Sequence, residues 1–550
     1  MKEEIEKYIS DVVRELYAQE VKPEVSRPDP KFGEYSTNVA LSLASKLSKS
    51  PSEVASEIVE KLKTKNIEPI QDISIAGSGF INFLLTDSAL LKVTKDGPKK
   101  AFEGQEIVVE FGNANPFKEM HLGHLYMTIV GDTIAKLFER SGAKVERVSY
   151  HGDVGLHVAK AIWAIKKYLS AHPETDVEEL LGSGQKIGQF YAEGSQTYED
   201  NETSREEIKK INELVYSKQD AQINEIYDKG SQLSFASFDK VFQVFNIHFN
   251  KRYLESQTSE IGLKTVRENI GKVFKESDGA VVFDGESKGL HTRVFINSQG
   301  LPTYEAKDLG LAELKNQDFP NASKSIIITD TQQLEYFRVM LAALKEIDSA
   351  LAQKTIHLTH GHLGLSSGKM SSRSGEVYSA ERFSEDIKQA VEKNFPDSSV
   401  KDQVYMGALR YTLLKHKLGS DILIDVGESV ALEGNSGPYL QYSHARAMSI
   451  IQRAGAGNAD AQFDLDDEER KLASKLSEYP DVVGTAVDQL MPHIICTYLY
   501  ELAQVFNHFY EKCRVVGDER QTVRLSLVSL YGDTLKDGLN MVGISAPDKM

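Results

Sequence analysis

Residues 106–142 read EIVVEFGNANPFKEMHLGHLYMTIVGDTIAKLFERSG, and this stretch decides the fold. EIVVEF at 106–111 is a short run of β-branched and apolar residues, the composition of a buried strand. A glycine-containing loop follows. Apolar residues then recur at helical spacing, so a helix is expected to start near His121 and to run through GHLYMTIVGDTIAKLFERSG. Strand, loop and helix in this order open a parallel α/β sheet. Strand-like segments return as KVERVSY, TRVFIN, SIIIT and TIHLT, with helical stretches between them, which marks a nucleotide-binding core.

On either side the pattern changes. The first hundred residues predict helices at about 3–19, 36–49 and 52–66. Two short strands follow, DISIA and FINFLL, parted by Gly77-Ser78-Gly79. This is a small α+β module over 1–98, joined to the core by the polar stretch KDGPKKAFEG. The sheet domain is expected over 99–385. Within it, residues from about 170 to 280 are polar and helical in period, as an insertion would be. From 386 to 550 the chain is almost entirely helical in pattern, with breaks at GNSGPY and AGAGNAD, and predicts an all-α bundle.

At 550 residues the chain exceeds a single core. No apolar run reaches the length of a membrane span, and the acidic start MKEEIEKYISDVVRELYAQE is unlike a signal peptide, so a soluble protein without membrane contact is expected. Cys496 and Cys513 are the only cysteines, too few for a disulfide framework or a four-thiolate zinc site. A reducing cytoplasm fits them. The formal charge of −17 argues against broad polyanion binding and leaves local basic faces such as Arg410, Lys415, His416 and Lys417, or Lys512, Arg514, Arg520 and Arg524.

Two motifs carry chemistry. HLGH at 121–124 has two histidines three apart, but it lacks the HExxH pattern and a supporting cysteine, so a metal site is disfavoured. Its bland reading is a pair of polar helix caps. Placed just after a buried strand, however, it would aim helix N-terminal amides and imidazole N–H groups at an anion over the carboxyl edge of the sheet. The second motif is GHLGLSSGKMSSRSGE. Leu363 stands where a Walker loop needs its first glycine and Met370 where it needs Ser or Thr, so this is not a Walker loop. An exposed glycine- and serine-rich loop is the ordinary reading. Paired with HLGH, its Lys369 could neutralise charge building on an α-phosphate as pyrophosphate leaves, which is adenylyl transfer by positioning and electrostatics.

The order NANPFKEMHLGH, LPTYEAKDLG, GKMSSRSGE, NSGPYLQYSHAR and GISAPDKM resembles arginyl-tRNA synthetases over nearly the whole chain. HLGH and KMSSR resemble the two class I signature motifs, SGPYLQYSHAR the start of the anticodon-binding helical domain, and FGEYSTNVALSLASKL the N-terminal module that reaches the tRNA elbow. The resemblance implies a Rossmann-like class I core, an additional N-terminal tRNA-binding module and a helical anticodon-binding bundle. It implies ATP with Mg2+, L-arginine and the arginine tRNA as ligands, no structural zinc, and a reaction in which arginine's carboxylate attacks the α-phosphorus and the arginyl group passes to the terminal ribose of the tRNA. A cytoplasmic monomer is expected.

Carried over residue by residue, the resemblance gives His121, His124 and Lys369 catalytic roles, with Lys118 as a further candidate whose division of labour with Lys369 stays open. It places Gly123, Gly152, Asp153, Gly155, Met370 and Ser371 at ATP. Gly123 would let adenine lie close to the backbone. Glu110, Asn115, Tyr304, Asp308 and Gln333 would bind arginine, with Gln332 leaving the register of Gln333 open. A guanidinium, planar and always charged, needs such acceptors. Tyr439, Gln441, Tyr442 and Arg446 are candidates for tRNA contact, with helix packing as the alternative. Departures are Ser372 in place of a second loop lysine, and Ala114 and Pro116 in the loop after the strand. A cysteinyl-tRNA synthetase is disfavoured by the cysteine count, and a silent tRNA-binding paralogue by the intact His121, His124 and Lys369.

Overall fold

The computed structural model describes residues 1–182, 184–366, 378–396, 399–454 and 464–550. Its centre is a five-stranded parallel sheet of β1 (Glu106–Glu110), β2 (Lys144–His151), β3 (Lys251–Leu254), β4 (Ala322–Asp330) and β5 (Thr355–His360), in the spatial order β5-β4-β1-β2-β3. The order reverses at β1, which has β4 on one side and β2 on the other. The helices after β1 and β4 therefore leave in opposite directions and open a crevice at the carboxyl ends of those strands.

β1 is buried on both faces. Ile107 and Val109 join the main core and Val108 a second cluster with Val148, Tyr253 and Leu311, none of the β1 three more than 1 % exposed. The helix after it, Leu122–Arg140, is also covered nearly all round, by the sheet and by helices Lys401–Leu414 and Gln521–Met541. Its buried polar groups are accordingly paired. Thr128 and Thr133 hydroxyls donate to the carbonyls of His124 and Ile129, at 2.7 and 2.8 Å. Asp132 accepts from Arg410 Nη2 at 2.5 Å. Burial alone would push the Asp132 carboxyl up, but Arg410 and Lys136 outweigh it and hold the acid ionised. Arg410 is itself fully buried, and its Nε donates to Val542 O at 2.8 Å, tying the chain's last helix to the helix of the first motif.

Two expectations about the sheet need correction. TRVFIN is a strand, but Arg293–Ile296 pairs antiparallel with Ala280–Phe283 in a separate three-stranded sheet and does not join the parallel core. The core instead takes β3, KRYL, from within the stretch expected to be an insertion. Periodicity marks a strand without naming its sheet, and four residues with two charges carry almost no strand signal. The insertion proper comprises the helices Val177–Leu181, Gly184–Asp200, Glu202–Ser217 and Ala221–Val244. They pack on Leu156–Ala171 around Trp163, Ile187, Ile208 and Ile223.

The N-terminal module is a four-stranded antiparallel sheet with helices Lys2–Tyr17, Val39–Leu47 and Pro51–Thr64. The helix expected from 36 starts at Val39, because Tyr35–Thr37 is spent pairing with Phe80–Leu85. C-terminal helices run Gly437–Ala454, Asp467–Ser477, Tyr479–Gln489, His493–Lys512 and Gln521–Met541. Arg470 reaches Glu34 and Asp87, and Arg27 Nε reaches Asp481 at 2.9 Å, so the two ends of the chain meet.

Candidate active site

Two groups of buried ionisable residues stand at the carboxyl ends of the strands: imidazoles at the start of the helix after β1, and carboxylates at Glu110 and on helices Glu255–Glu268 and Tyr304–Asp318. His121 is the N-cap of helix Leu122–Arg140. Its Nδ1 accepts from the His124 amide at 3.4 Å, and His124 Nδ1 accepts from the His121 amide at 3.3 Å. This is a capping box built from two histidines, with rings stacked 3.6 Å apart. Accepting at Nδ1 requires that nitrogen to be unprotonated, so each neutral ring carries its proton on Nε2 and presents a donor. Burial holds the rings neutral: His121 is pushed down to about 4 and His124 well below the ordinary histidine value. A Cβ on Gly123 would stand 3.0 Å from His121 Cε1, so a side chain there would displace the ring that caps the helix.

The loop leading to this helix is held tightly. Phe117 is fully buried at φ 63°, and its amide donates to Ser234 Oγ at 3.1 Å. A left-handed phenylalanine is costly and persists only where its surroundings fix it. Next to it, Lys118 Nζ lies 4.8 Å from the ring centre of Tyr191 and makes no salt bridge among the described residues.

On the other side, Glu110 ends β1 and is 2 % exposed. Its Oε2 pairs with Lys315 Nζ at 2.5 Å and its Oε1 accepts from Asn113 Nδ2 at 3.0 Å. Glu255, also buried, pairs with Lys307 Nζ at 2.6 Å, yet burial still raises its carboxyl. Asp308 lies between them in helix Tyr304–Asp318. It is 8 % exposed and has neither a hydrogen bond nor a salt bridge among the described residues. Burial, with the negative charges of Glu110 and Glu255, raises its carboxyl well above the usual range. Tyr304 is exposed at the start of the same helix, and Gln333 and Gln332 are both exposed just after β4.

The turn after β2 closes the floor. Asn115 Oδ1 accepts from the Gly152 amide at 2.9 Å. Asp153 spends both oxygens within the protein, accepting from the Ser256 amide at 2.9 Å, Ser256 Oγ at 2.6 Å and Tyr227 Oη at 2.8 Å. Gly155 starts helix Leu156–Ala171 at φ 120°, a backbone conformation open to glycine. His157 follows, its Nε2 2.7 Å from Gly152 O, and burial pushes it down to about 3.

Lys369, Met370 and Ser371 lie outside the described residues. The four residues singled out for tRNA separate. Gln441 is fully buried and its amide donates to Gln403 O and Ser545 O, at 2.9 and 2.8 Å, so it holds the chain end. Tyr442 is exposed, with Arg446 over its ring and Tyr439 bonded to Asn507 at 2.7 Å. Sequence reasoning missed Asn113, Glu255, Lys307, Lys315 and His157. Only Asn113 and Lys307 had a local signal, standing inside the stretches NANPFKEMHLGH and LPTYEAKDLG already singled out.

Residues 86–425 match the family model described as the catalytic domain of class I (R) tRNA synthetases, which places the chain among the class I aminoacyl-tRNA synthetases. Residues 1–85 match the arginyl tRNA synthetase N terminal domain and 440–550 the DALR anticodon binding domain. The chain belongs to the arginyl-tRNA synthetase family. It is similar to the arginine–tRNA ligase of Borreliella burgdorferi, at 27 % identity over 90 % of this chain and 89 % of that one. The arginine–tRNA ligase of Lactococcus lactis subsp. cremoris is 29 % identical over 93 % of each. The fold matches the solved arginyl-tRNA synthetases of Thermus thermophilus (TM-score 0.83, 24 % identity, all of both chains) and Plasmodium falciparum (TM-score 0.80, 22 % identity, 100 % of this chain and 99 % of that one). No described helix is long and apolar enough to cross a membrane.

Proposed function

We propose that the two sides of the crevice divide the work of an arginine–tRNA ligase, the carboxylate side selecting arginine and the imidazole side holding Mg-ATP. The observation that carries this reading is Asp308, a buried and unpaired carboxylate beside two carboxylates that already have lysine partners. An uncompensated buried acid is costly, and a guanidinium entering as its partner relieves that cost. Tyr304, four residues earlier, offers a hydroxyl near the same place. Glu110 and Asn115 shape the pocket. Glu110, with both oxygens engaged by Lys315 and Asn113, sets the field around Asp308.

On the other side, Nε2–H groups of His121 and His124 donate to phosphate oxygens, and Lys118 with Lys369 supplies positive charge. Gly152 and Gly155 let the nucleotide approach the backbone. A carboxylate oxygen of arginine attacks the α-phosphorus, and the bond from that phosphorus to pyrophosphate breaks. Neutral donors suit this step: they stabilise charge as it builds on the phosphate and, unlike an imidazolium, do not readily give up their proton. A ribose hydroxyl at the tRNA end then attacks the arginyl carbonyl, and AMP leaves. The exposed Tyr442–Arg446 face is proposed for RNA contact, since rings and guanidinium stack on bases.

The domain limits proposed are 1–98, 99–385 and 386–550. Both cysteines are free and buried, Cys496 being pushed up to about 12, and a cytoplasmic monomer is the proposed working form. Light scattering of the purified chain tests the mass. The function is tested by arginine-dependent pyrophosphate exchange, with and without tRNA, against His124→Ala. Absence of exchange with tRNA present would sink the assignment. The family resemblance further implies that activation needs bound tRNA, and exchange without tRNA would reject only that requirement.

A further inference from the structure

The inserted helices look inert in sequence, yet three of their tyrosines reach charged groups of the crevice. Tyr227 Oη donates to Asp153 Oδ2 at 2.8 Å, and Tyr216 Oη accepts from Lys307 Nζ at 3.4 Å. These two contacts fix the insertion against the floor. The third, Tyr191 in helix Gly184–Asp200, sets its ring 4.8 Å from Lys118 Nζ. Lys118 is the residue with most to gain from such a contact. It sits one residue after the strained Phe117 and three before His121. Among the described residues it has no carboxylate partner to hold its four-carbon stem. Burial would raise the Tyr191 phenol, but bonding of its oxygen to Ser195 and the nearness and bonding of the Lys118 ammonium outweigh that and lower it, so Lys118 meets the oxygen as well as the ring.

We infer that Tyr191 is a positioning residue for the adenylation step, holding the Lys118 ammonium over its ring face so that the charge stands ready where the triphosphate lies. The insertion is then a working wall of the site. The inference rests on the reading of Lys118 as a phosphate-side cation, and the test separates the two.

Pyrophosphate exchange with tRNA present is measured for wild type, Lys118→Ala, Tyr191→Ala, Tyr191→Phe, the double variant Lys118→Ala/Tyr191→Ala, and Tyr198→Ala. Tyr198 lies on the same helix but faces Lys160 and Arg205. Tyr191→Ala is expected to lower kcat about 5- to 30-fold, the range a partly desolvated cation–π contact supplies, with KM for arginine unchanged. Tyr191→Phe keeps the ring face but loses the phenol oxygen that also meets Lys118, and is expected to fall between wild type and Tyr191→Ala. Tyr198→Ala should match wild type, and the double variant should be no slower than Lys118→Ala, because a residue acting through another adds nothing once that one is gone. Unchanged kcat in Tyr191→Ala, or defects that multiply in the double variant, would overturn the positioning role. A Lys118→Ala enzyme as fast as wild type would instead overturn the role of Lys118 itself.

Discussion

The two sides of the crevice solve opposite electrostatic problems with the same tool, burial. On the arginine side burial acts on acids. Glu110 and Glu255 are paired with Lys315 and Lys307, though burial still raises the Glu255 carboxyl, while Asp308 is left without a partner and its carboxyl is driven well up. On the phosphate side burial acts on bases, and His121, His124 and His157 are driven neutral. One side therefore waits for a cation to complete it. The other offers oriented donors that carry no charge of their own. The lesson is that desolvation alone makes neither pocket; what decides is which groups are given a partner by the fold and which are left for the substrate.

Four substitutions probe this contrast, the largest expected effect first. Lys315→Met removes the partner of a buried acid and should cost about 3–5 kcal/mol of stability in denaturant unfolding. A loss under about 1 kcal/mol would mean that the Lys315–Glu110 pair adds little to the fold. Asp308→Asn should lower kcat/KM for arginine about 10²- to 10³-fold and leave KM for ATP in place, since it deletes one charge of a buried pair that forms only with substrate. Loss of ATP affinity instead would merge the two sides. His124→Ala should lower kcat about 10²-fold with KM for arginine unchanged, as removal of an oriented donor does.

The smallest effect concerns pH. His121 titrates at about 4 when folded against 6.5 for the free group, so the unfolded chain takes up its proton first. Its contribution to stability is complete above about pH 6.5 and is lost as pH falls from there towards 4. His121→Asn keeps a capping acceptor and removes the titration. Between pH 7 and pH 6 wild type should lose about 0.7 kcal/mol more than this variant. Equal losses would show that His121 is already exposed to solvent.

The paired-histidine cap on the proposed phosphate side was legible in the sequence because it is local. A strand, a loop and HLGH lie within 19 residues of one another, from Glu106 to His124, and helix capping is a property of neighbours. The arginine side was legible only in part. Asp308 and Glu110 stand in recognisable segments, but the lysine that pairs with Glu110 is 205 residues away, and nothing in AELKNQD distinguishes Lys315 from a solvated helix lysine. β3 was hidden for a similar reason: KRYL becomes a core strand only because β2 lies beside it. Gln441 illustrates the reverse case. A polar residue beside two aromatics suggests a surface for RNA, yet the chain end folds back and buries it under Ser545. The tyrosines of the insertion gave no signal, since tyrosine at helical spacing is ordinary packing.

The central claim is that Asp308, left without a partner by the fold, ionises against the entering guanidinium and so selects it. It is tested most directly by exchange with arginine and with citrulline, whose neutral urea has nearly the guanidinium's shape, in wild type and Asp308→Asn with tRNA present. The account predicts strong preference for arginine in wild type and a preference at least about 10²-fold weaker in the variant, because the lost term is the charge itself. An Asp308→Asn enzyme that still discriminates as wild type does would contradict it.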